Sequence, residues 1–412
     1  MGLGYVGLPL AQEASRRGFK VVGLDVSETA VQGLNSGRSH VDDLADADIA
    51  EMIAHGFRAT TDPSVLSDAD VAVVCVPTPL ADEGGPDLGA VRAASTTIAE
   101  HLHPGMLVVL ESTTYPGTTE EYVQPILEQS GLRAGADFHL AFSPERIDPG
   151  NRHFGITNTP KVVGGVTADC TAEAVKFYSE FVETVVPAKG TREAEMAKLL
   201  ENTYRHINIA LVNEMARFCR ELDIDLWDVI RCASTKPFGF QAFYPGPGVG
   251  GHCIPIDPNY LSYRVKAKLG YPFRFVELAE EINASMPAYV GRRIQDELNV
   301  QGKALNGARV LLLGVTYKPD IADQRESPAV PLAIRLDEQG ADVWFHDPHV
   351  ASWSCPDRDR SRVEDLEAAL AAADITVLLQ NHSDYDLEQI ARTARSLLDT
   401  RGVLQEPGVA QL

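Results

Sequence analysis

Short apolar runs punctuate the first 189 residues of the chain: FKVVGLDV, ADVAVVCVP, MLVVLES, HLAFSPE and PKVVGG. Runs of this kind, rich in β-branched residues, bounded by Gly, Pro and Asp and separated by helix-like spacers, predict parallel strands in a βαβ sheet. The pattern then changes period. Residues 191–234 (TREAEMAKLLENTYRHINIALVNEMARFCRELDIDLWDVIRCAS) keep a helical spacing of apolar positions and contain neither Gly nor Pro. That predicts a long spine with enough apolar surface to pair with a second copy of the chain. A loop rich in Gly and Pro, PFGFQAFYPGPGVGGHCIPIDP, follows, and helical spacing resumes to about residue 298. Alternation then restarts with ARVLLLGVTYKP, ADVWFHDP and ADITVLLQNHSD.

The last section reads as a second edition of the first. LGVTYKP falls in place on MGLGYVGLP, DVWFHDP on KVVGLDV, and AAADITVLL on LSDADVAVVCV. The expected fold is α/β: two Rossmann-like, doubly wound parallel-sheet domains joined by a central, all-α domain built on a long helix. The expected boundaries are 1–189, 190–298 and 299–412. In the later copy a full strand, Arg309 to Leu313, precedes the loop, and its last residue falls where Met1 falls in the earlier one. The expectation is that a strand of apolar residues lies upstream of Met1, or that Met1 replaces a strand residue at a misassigned start.

A chain of 412 residues exceeds one ordinary domain. Its formal net charge of -22 repels polyphosphate and anionic lipid at long range, and no apolar run approaches a membrane span. Neither nucleic acid nor a membrane is expected as a partner. The cysteines at 75, 170, 219, 232, 253 and 355 form no CxxC pair, which suits free thiols in a reducing cytoplasm and gives no metal site.

Within this frame a few residues carry chemistry. Gly2, Gly4 and Gly7 have the G-x-G-x-x-G spacing that lets backbone N–H groups at a helix N-terminus approach a pyrophosphate. Asp25 ends the next strand, where the fingerprint expects the acid that binds the ribose 2′-hydroxyl. A carboxylate there repels a 2′-phosphate, so NAD is favoured over NADP. Lys198, Asn202 and Arg205 share roughly one face of the spine. The stretch GPGVGGHCIPIDP packs four glycines beside Cys253, with Asp257 four residues on. It reads either as a loop that brings backbone and a nucleophilic thiol to a ligand, or as a flexible loop with an incidental cysteine. His252 reads equally as a base, a ligand contact or a structural residue. Thr113 in EST and Glu145 in SPE leave the carboxyl ends of strands, which face the ligand crevice in such sheets.

Taken together, GLGYVGLP, VCVPTP, EST, SPER, AKLLEN, GPGVGGHCIPID and YKPDIADQRESP occur in the order of the UDP-glucose/GDP-mannose dehydrogenase family, which the chain resembles over essentially its whole length. FSPERIDPGN and KPFGFQAFYPGPG are most similar to the subgroup oxidising UDP-N-acetylglucosamine-type sugars. The resemblance implies NAD-dependent, four-electron oxidation of the C6 hydroxyl of a nucleotide-linked hexose to a uronic acid, with two NAD per turnover. It makes Cys253 the nucleophile, forming a thiohemiacetal and then a thioester. Lys198 would stabilise the oxyanions, Asn202 and Asp257 would fix a water or the C6 oxygen, and Glu145 would be the base for thioester hydrolysis, with Thr113 near the nicotinamide. Tyr5, Val6, Pro77, Thr78 and Arg325 fall on the cofactor side. Arg146, Arg205, Phe243, Tyr244, Gly246, Gly250 and Lys318 fall on the nucleotide-sugar side. A homodimer through the central helix is also implied.

Two departures stand out. Where relatives carry a second glutamate after the SPE-like segment, this chain has Pro149 beside Asp148. The subgroup acting on the manno epimer tends to carry His-Pro-Arg where this chain reads KPFGF, which argues against that substrate. The last section has lost the glycines of the first, so by resemblance it holds the nucleotide of the substrate rather than a dinucleotide. Alternatives are a TDP-glucose dehydrogenase of specialised glycoside synthesis, a two-electron β-hydroxyacid dehydrogenase, which would need neither Cys253 nor the last section, and a non-catalytic sensor of NAD or a sugar nucleotide.

Overall fold

The computed structural model describes residues 1–41, 44–81, 85–147, 151, 153–251, 254–356 and 358–412. They pack into two compact units, Met1–Glu201 with Asn259–Gly270, and Asn202–Pro258 with Tyr271–Leu412. Among the described residues, no helix is long and apolar enough to cross a membrane.

The first unit holds β1 (Val22–Leu24), β2 (Arg58–Thr60), β3 (Val71–Val74), β4 (Leu107–Leu110), β5 (His139–Phe142), β6 (Lys161–Gly165) and β7 (Val185–Pro187). β1 and β2 pair in parallel, and the other five form one sheet in chain order. All four residues of β4 are buried because apolar side chains cover both faces, which is why the strand reads as the unbroken run LVVL. Val91, Ile98 and Phe138 pack on one face, and Leu10, Ala174, Tyr178 and Phe181 on the other.

Only the first two residues bridge β1 and β3. The Met1 nitrogen donates to Val73 O (2.7 Å), Cys75 N–H donates to Met1 O (2.8 Å), and Gly2 N–H donates to Leu24 O (2.9 Å). Among the described residues, no strand occupies that place.

The run PKVVGG departs from expectation. It forms β6, but antiparallel to β5. The described residues that join β5 to β6 contain no helix, and the strand returns in the opposite sense, as a connection without a crossover helix allows. The helix Ala168–Ser179 then supplies the crossover that makes β7 parallel to β6.

The helical stretch expected over 191–234 is also interrupted. Helix Thr191–Glu221 stops and a second helix, Leu226–Ala233, begins. The aspartates of ELDID are the cause. Asp223 takes a positive φ of 56°, and Asp225 caps the new helix by accepting from Asp228 N–H (3.1 Å).

In the second unit follow the helices Asp257–Leu269 (mostly counted with the first unit), Arg274–Ala284 and Met286–Val300, then β8 (Arg309–Leu313), β9 (Asp342–His346), β10 (Ser352–Cys355), β11 (Arg358–Ser361), β12 (Ile375–Leu378), β13 (Leu397–Asp399) and β14 (Ala410–Gln411). Five strands form a parallel sheet in the order β14, β13, β12, β8, β9. β8 lies centrally, with Leu311 opposite Thr376 on one side and Trp344 on the other. β10 and β11 form a separate antiparallel hairpin.

Candidate functional site

The first unit builds a phosphate loop. A Cβ on Gly2 would lie 2.6 Å from Cys75 O, and one on Gly7 would lie 1.9 Å from Gly2 O, so the turn and the helix Gly7–Arg16 pack with no room for side chains. At Gly4 a Cβ would meet nothing within 4 Å. Two glycines thus fold the loop, and the third leaves backbone open to a ligand at a helix N-terminus. Asp25 sits beside it, half-buried, accepting from Leu3 N–H (2.8 Å) and Ser27 N–H (2.9 Å). Those two bonds orient the carboxylate and leave it accessible to a ribose. The residues fit NAD. Tyr5 is partly exposed and Val6 half-buried on the same loop.

Beyond the carboxyl ends of β3, β4 and β5 the expected groups gather. Thr78 Oγ1 donates to Thr113 O (2.8 Å), tying VPTP to EST, while Pro77 is exposed. Glu145 is half-buried and accepts from Ile147 N–H. Arg146 is held away from a free role: its guanidinium pairs with Glu201 (2.8 Å) and donates to Pro160 O. Asp148 and Pro149 lie outside the described residues. Behind Glu145 is a buried pair, Lys161 with Glu111 (3.1 Å), and Tyr178 donates to the same Glu111 oxygen. Burial pushes the Glu111 carboxyl up, and the Lys161 charge opposes it. The Cys75 thiol, at the end of β3, is pushed far above its ordinary value by burial, which leaves it no nucleophile.

In the second unit, Asn202 Nδ2 donates to Asp257 Oδ2 (2.6 Å), and both residues are buried. Lys198, one turn earlier on the same helix, is 6% exposed, and no hydrogen bond or ion pair to its ammonium is found among the described residues. Arg205 is exposed. His252 and Cys253 lie outside the described residues, but the glycines before them are well placed. A Cβ on Gly250 would meet Glu326 O at 2.6 Å and Tyr317 Cβ at 2.7 Å, so this loop lies directly on the YKPDIADQRESP segment. Gly246 N–H donates to Asn213 (2.9 Å), which anchors residues 243–246 to the long helix, with Phe243 edge-on to Tyr204 of the same helix and Tyr244 stacked on Trp227.

Arg401 escaped the sequence reading. It follows β13, donates to Leu379 O (2.6 Å), and sits 3.2 Å from where a Gly246 Cβ would be. The available signal was a cation just past the carboxyl end of the last long strand, LLDTR. Lys318 is half-buried, and Arg325 is clamped by Asp323, its Nη2 2.6 Å from the carboxylate. Asp347, equivalent to Asp25, is fully buried and accepts from Val315 N–H, His349 N–H and His382 Nε2. His382 Nδ1 in turn accepts from Asp320 N–H (2.9 Å). With both ring nitrogens engaged, the grouping of Asp320, His349 and His382 is a hydrogen-bonded network rather than an open ligand set.

Known proteins match this arrangement along its length. The NAD-binding, central and UDP-binding domains of the UDP-glucose/GDP-mannose dehydrogenase family match residues 1–182, 192–285 and 311–406. The UDP-N-acetyl-D-mannosamine dehydrogenase of Salmonella typhi is 34% identical over 420 residues, covering 98% of each chain. The structure of the UDP-N-acetyl-D-mannosamine dehydrogenase of Pyrococcus horikoshii superposes with a TM-score of 0.89 at 33% identity, over 100% of this chain and 96% of that one. An NDP-N-acetyl-D-galactosaminuronic acid dehydrogenase from Methanosarcina mazei gives 0.83 at 32%, over 100% and 93%. Manno-type relatives of this similarity weaken the use of KPFGF against the manno epimer. With three family domains in order and a phosphate loop that fits NAD, the chain belongs to the UDP-glucose/GDP-mannose dehydrogenase family and is an NAD-dependent dehydrogenase of nucleotide sugars.

Proposed function

We propose that this enzyme oxidises C6 of a UDP-linked N-acetylhexosamine to the uronic acid through covalent capture on Cys253. The observation that carries the proposal is the buried Asn202–Asp257 hydrogen bond, with Lys198 one turn away on the same helix, buried and with no hydrogen bond or ion pair to its ammonium among the described residues. The substrate class rests on the relatives, whose names specify N-acetylated sugars.

NAD, when bound, accepts a hydride in each of two oxidations. The protein's own residues do the rest. Asp257 and Asn202 position the C6 oxygen, and the Lys198 ammonium stabilises negative charge as it develops there. The Cys253 thiolate adds to the aldehyde, giving a thiohemiacetal. Loss of a second hydride leaves a thioester, and a water deprotonated by Glu145 cleaves it to carboxylate and thiol. Lys318 and Arg401, both in the second unit, suit the substrate diphosphate.

Counting NADH per sugar tests the scheme. Two per sugar are expected, and one would convert the reading to the β-hydroxyacid type. Cys253→Ser should abolish acid formation while leaving NAD binding intact. A panel of UDP-N-acetylmannosamine, UDP-N-acetylglucosamine, UDP-N-acetylgalactosamine, UDP-glucose and TDP-glucose fixes the sugar and base.

The enzyme also acts as a homodimer in this reading. Leu200, Tyr204, Leu211 and Phe218 are all exposed on the long helix at intervals of four, seven and seven, a single apolar stripe suited to its own copy. Leu211→Glu should shift the sedimenting species to monomer. Among the described residues Cys75, Cys170, Cys219 and Cys232 are free thiols, which suits a cytoplasmic location.

A further inference from the structure

The first unit contains a buried carboxylate that the reaction above does not use. Glu195 lies one turn before Lys198 on the helix Thr191–Glu221 and is 1% exposed. Its Oε2 accepts from Gly117 N–H, and its Oε1 accepts from Thr119 N–H (2.9 Å) and from the Thr119 hydroxyl (2.8 Å). Gly117 reaches this arrangement at a φ of 99°. Three donors and no acceptor converge on the carboxylate, which suits the anion.

The segment it grips is the one that leaves EST. Thr113 is pinned at its carbonyl by the Thr78 hydroxyl (2.8 Å), and six residues later Glu195 pins Thr119. Charged neighbours stitch the adjoining residues 120 and 121 to the start of that helix and to the helix Asp257–Leu269. Arg192 pairs with Glu120 (2.8 Å) and Glu121 (3.0 Å), the Thr191 hydroxyl donates to Glu120, and Arg264 and Lys268 pair with Glu121. Those pairs are partly exposed, whereas the Glu195 grip is dry.

We propose that Glu195 is a positioning residue: it locks residues 113–119 to the helix that carries Lys198, and so fixes the Thr113 group against the Lys198 ammonium during both oxidations. This rests on the roles given above to Thr113 and Lys198. A bland helix-end cap would account for the bonds to residues 117 and 119, but not for their placement one turn from Lys198 and at the end of the Thr113 loop.

The grip is also poised to titrate. Burial pushes the Glu195 carboxyl up to about 7; the Gly117 and Thr119 donors pull it down, and Glu120 adds to the rise. Protonation puts a hydrogen where only donors point, so the lock loosens below neutrality and holds above it.

The test compares Glu195→Gln, Glu195→Asp and Thr119→Val with the full-length wild type. A misplacement of about 1 Å costs up to about 100-fold, so Glu195→Gln should lower kcat about tenfold at pH 8 and leave both KM values within about twofold. Wild-type kcat should rise through one ionisation near pH 7; Glu195→Gln should lose that inflection, and Glu195→Asp should retain it at a lower plateau. Thr119→Val, which keeps the backbone bonds, should lower kcat about threefold and serves if Glu195→Gln does not fold. Hydrogen exchange without substrates gives a readout independent of turnover: the peptide holding residues 113–119 should exchange faster in Glu195→Gln. Unchanged exchange and an unchanged pH profile in that variant overturn the proposal. Lys198→Met separates the two layers. If it retains full turnover, the role given to Lys198 fails; if it is inactive while Glu195→Gln behaves as wild type, only the positioning role fails.

Discussion

The two Rossmann-like halves share a backbone bond for bond and differ in what they leave open. Gly2 N–H donates to Leu24 O at 2.9 Å, and Gly314 N–H donates to His346 O at 2.9 Å. Leu3 N–H meets Asp25 at 2.8 Å, and Val315 N–H meets Asp347 at 2.8 Å. Ser27 N–H and His349 N–H close the same turn on the other carboxylate oxygen. The differences lie in the side chains. Asp25 is half-buried, whereas His382 plugs Asp347, which is fully buried. The open space at Gly4 is filled in the later copy by Thr316, 2% exposed, which donates to Lys318 O. The same turn is therefore left open to a ligand in one half, where we propose that it meets the dinucleotide ribose, and in the other serves as internal scaffolding for the loop that carries Lys318 and Arg325. The later half also carries the five residues of β8 where the earlier one has Met1 and Gly2.

If that contrast is right, equivalent substitutions must fail in opposite ways. Asp347→Ala should have the largest effect, about 3 to 5 kcal/mol of stability by urea unfolding. Three buried donors lose a charged acceptor, each such bond being worth about 1.5 to 3 kcal/mol before relaxation. A loss near 1 kcal/mol would mean that water reaches Asp347 and that the scaffolding reading is wrong. Asp25→Ala should cost little stability, yet raise the KM for NAD about tenfold, roughly 1.4 kcal/mol, and improve the relative use of NADP. Gly7→Ala should disrupt the fold because its methyl collides with Gly2 O, whereas Gly4→Ala should fold and weaken NAD binding.

Acid titration extends the same comparison. Burial pushes the Asp347 carboxyl up, but bonds from His382, Val315 and His349 outweigh it and hold the carboxyl below its ordinary value. A depressed folded pKa contributes stability above the unfolded value, about 4, and that contribution disappears as pH falls through the folded one. Glu195 has the opposite sign. Its carboxyl is raised to about 7, so ionisation tightens the local grip on residues 117 and 119 but buries a charge, and the global stability that is full below the unfolded value is lost as pH rises through 7. Unfolding free energies between pH 3 and 8 should show a shallower acid slope in Asp347→Asn, with Glu121, Asp320 and Asp374 keeping the rest, and a weaker decline through neutrality in Glu195→Gln, with Glu111 and Asp399 keeping the rest. If both variants keep the wild-type curve, other groups set the pH dependence.

What could be read from the sequence was what is local or periodic. The loop glycines, Asp25, the duplicated strands and the i, i+4 pair Lys198 and Asn202 all lie within a turn or a strand of their partners. Interactions made by folding were not legible. Arg401 fills the space a Gly246 side chain would take, across 155 positions of chain, and Glu195 grips Thr119, 76 positions away. Nothing in NHSDY announces that its histidine will cap Asp347. The direction of β6 depended on whether a helix fills the preceding connection, and apolar periodicity does not encode that. The break at ELDID was legible in principle, because Asp at a cap competes with helix continuation, but the surrounding apolar spacing masked it.

The smallest effect expected is at Arg325. The resemblance places it on the cofactor side, but in the structure its guanidinium is about half exposed and bound to Asp323 at 2.6 Å. An exposed pair of this kind is worth at most about 1 kcal/mol, so Arg325→Ala should leave the melting curve nearly unchanged. A role toward NAD requires the guanidinium to leave Asp323, which discounts its net contribution; we expect the KM for NAD to rise about threefold, less than for Asp25→Ala. Asp323→Asn should then lower that KM by releasing the arginine. If neither substitution moves it, NAD recognition rests wholly on the first half, and Arg325 serves only to shape its own loop.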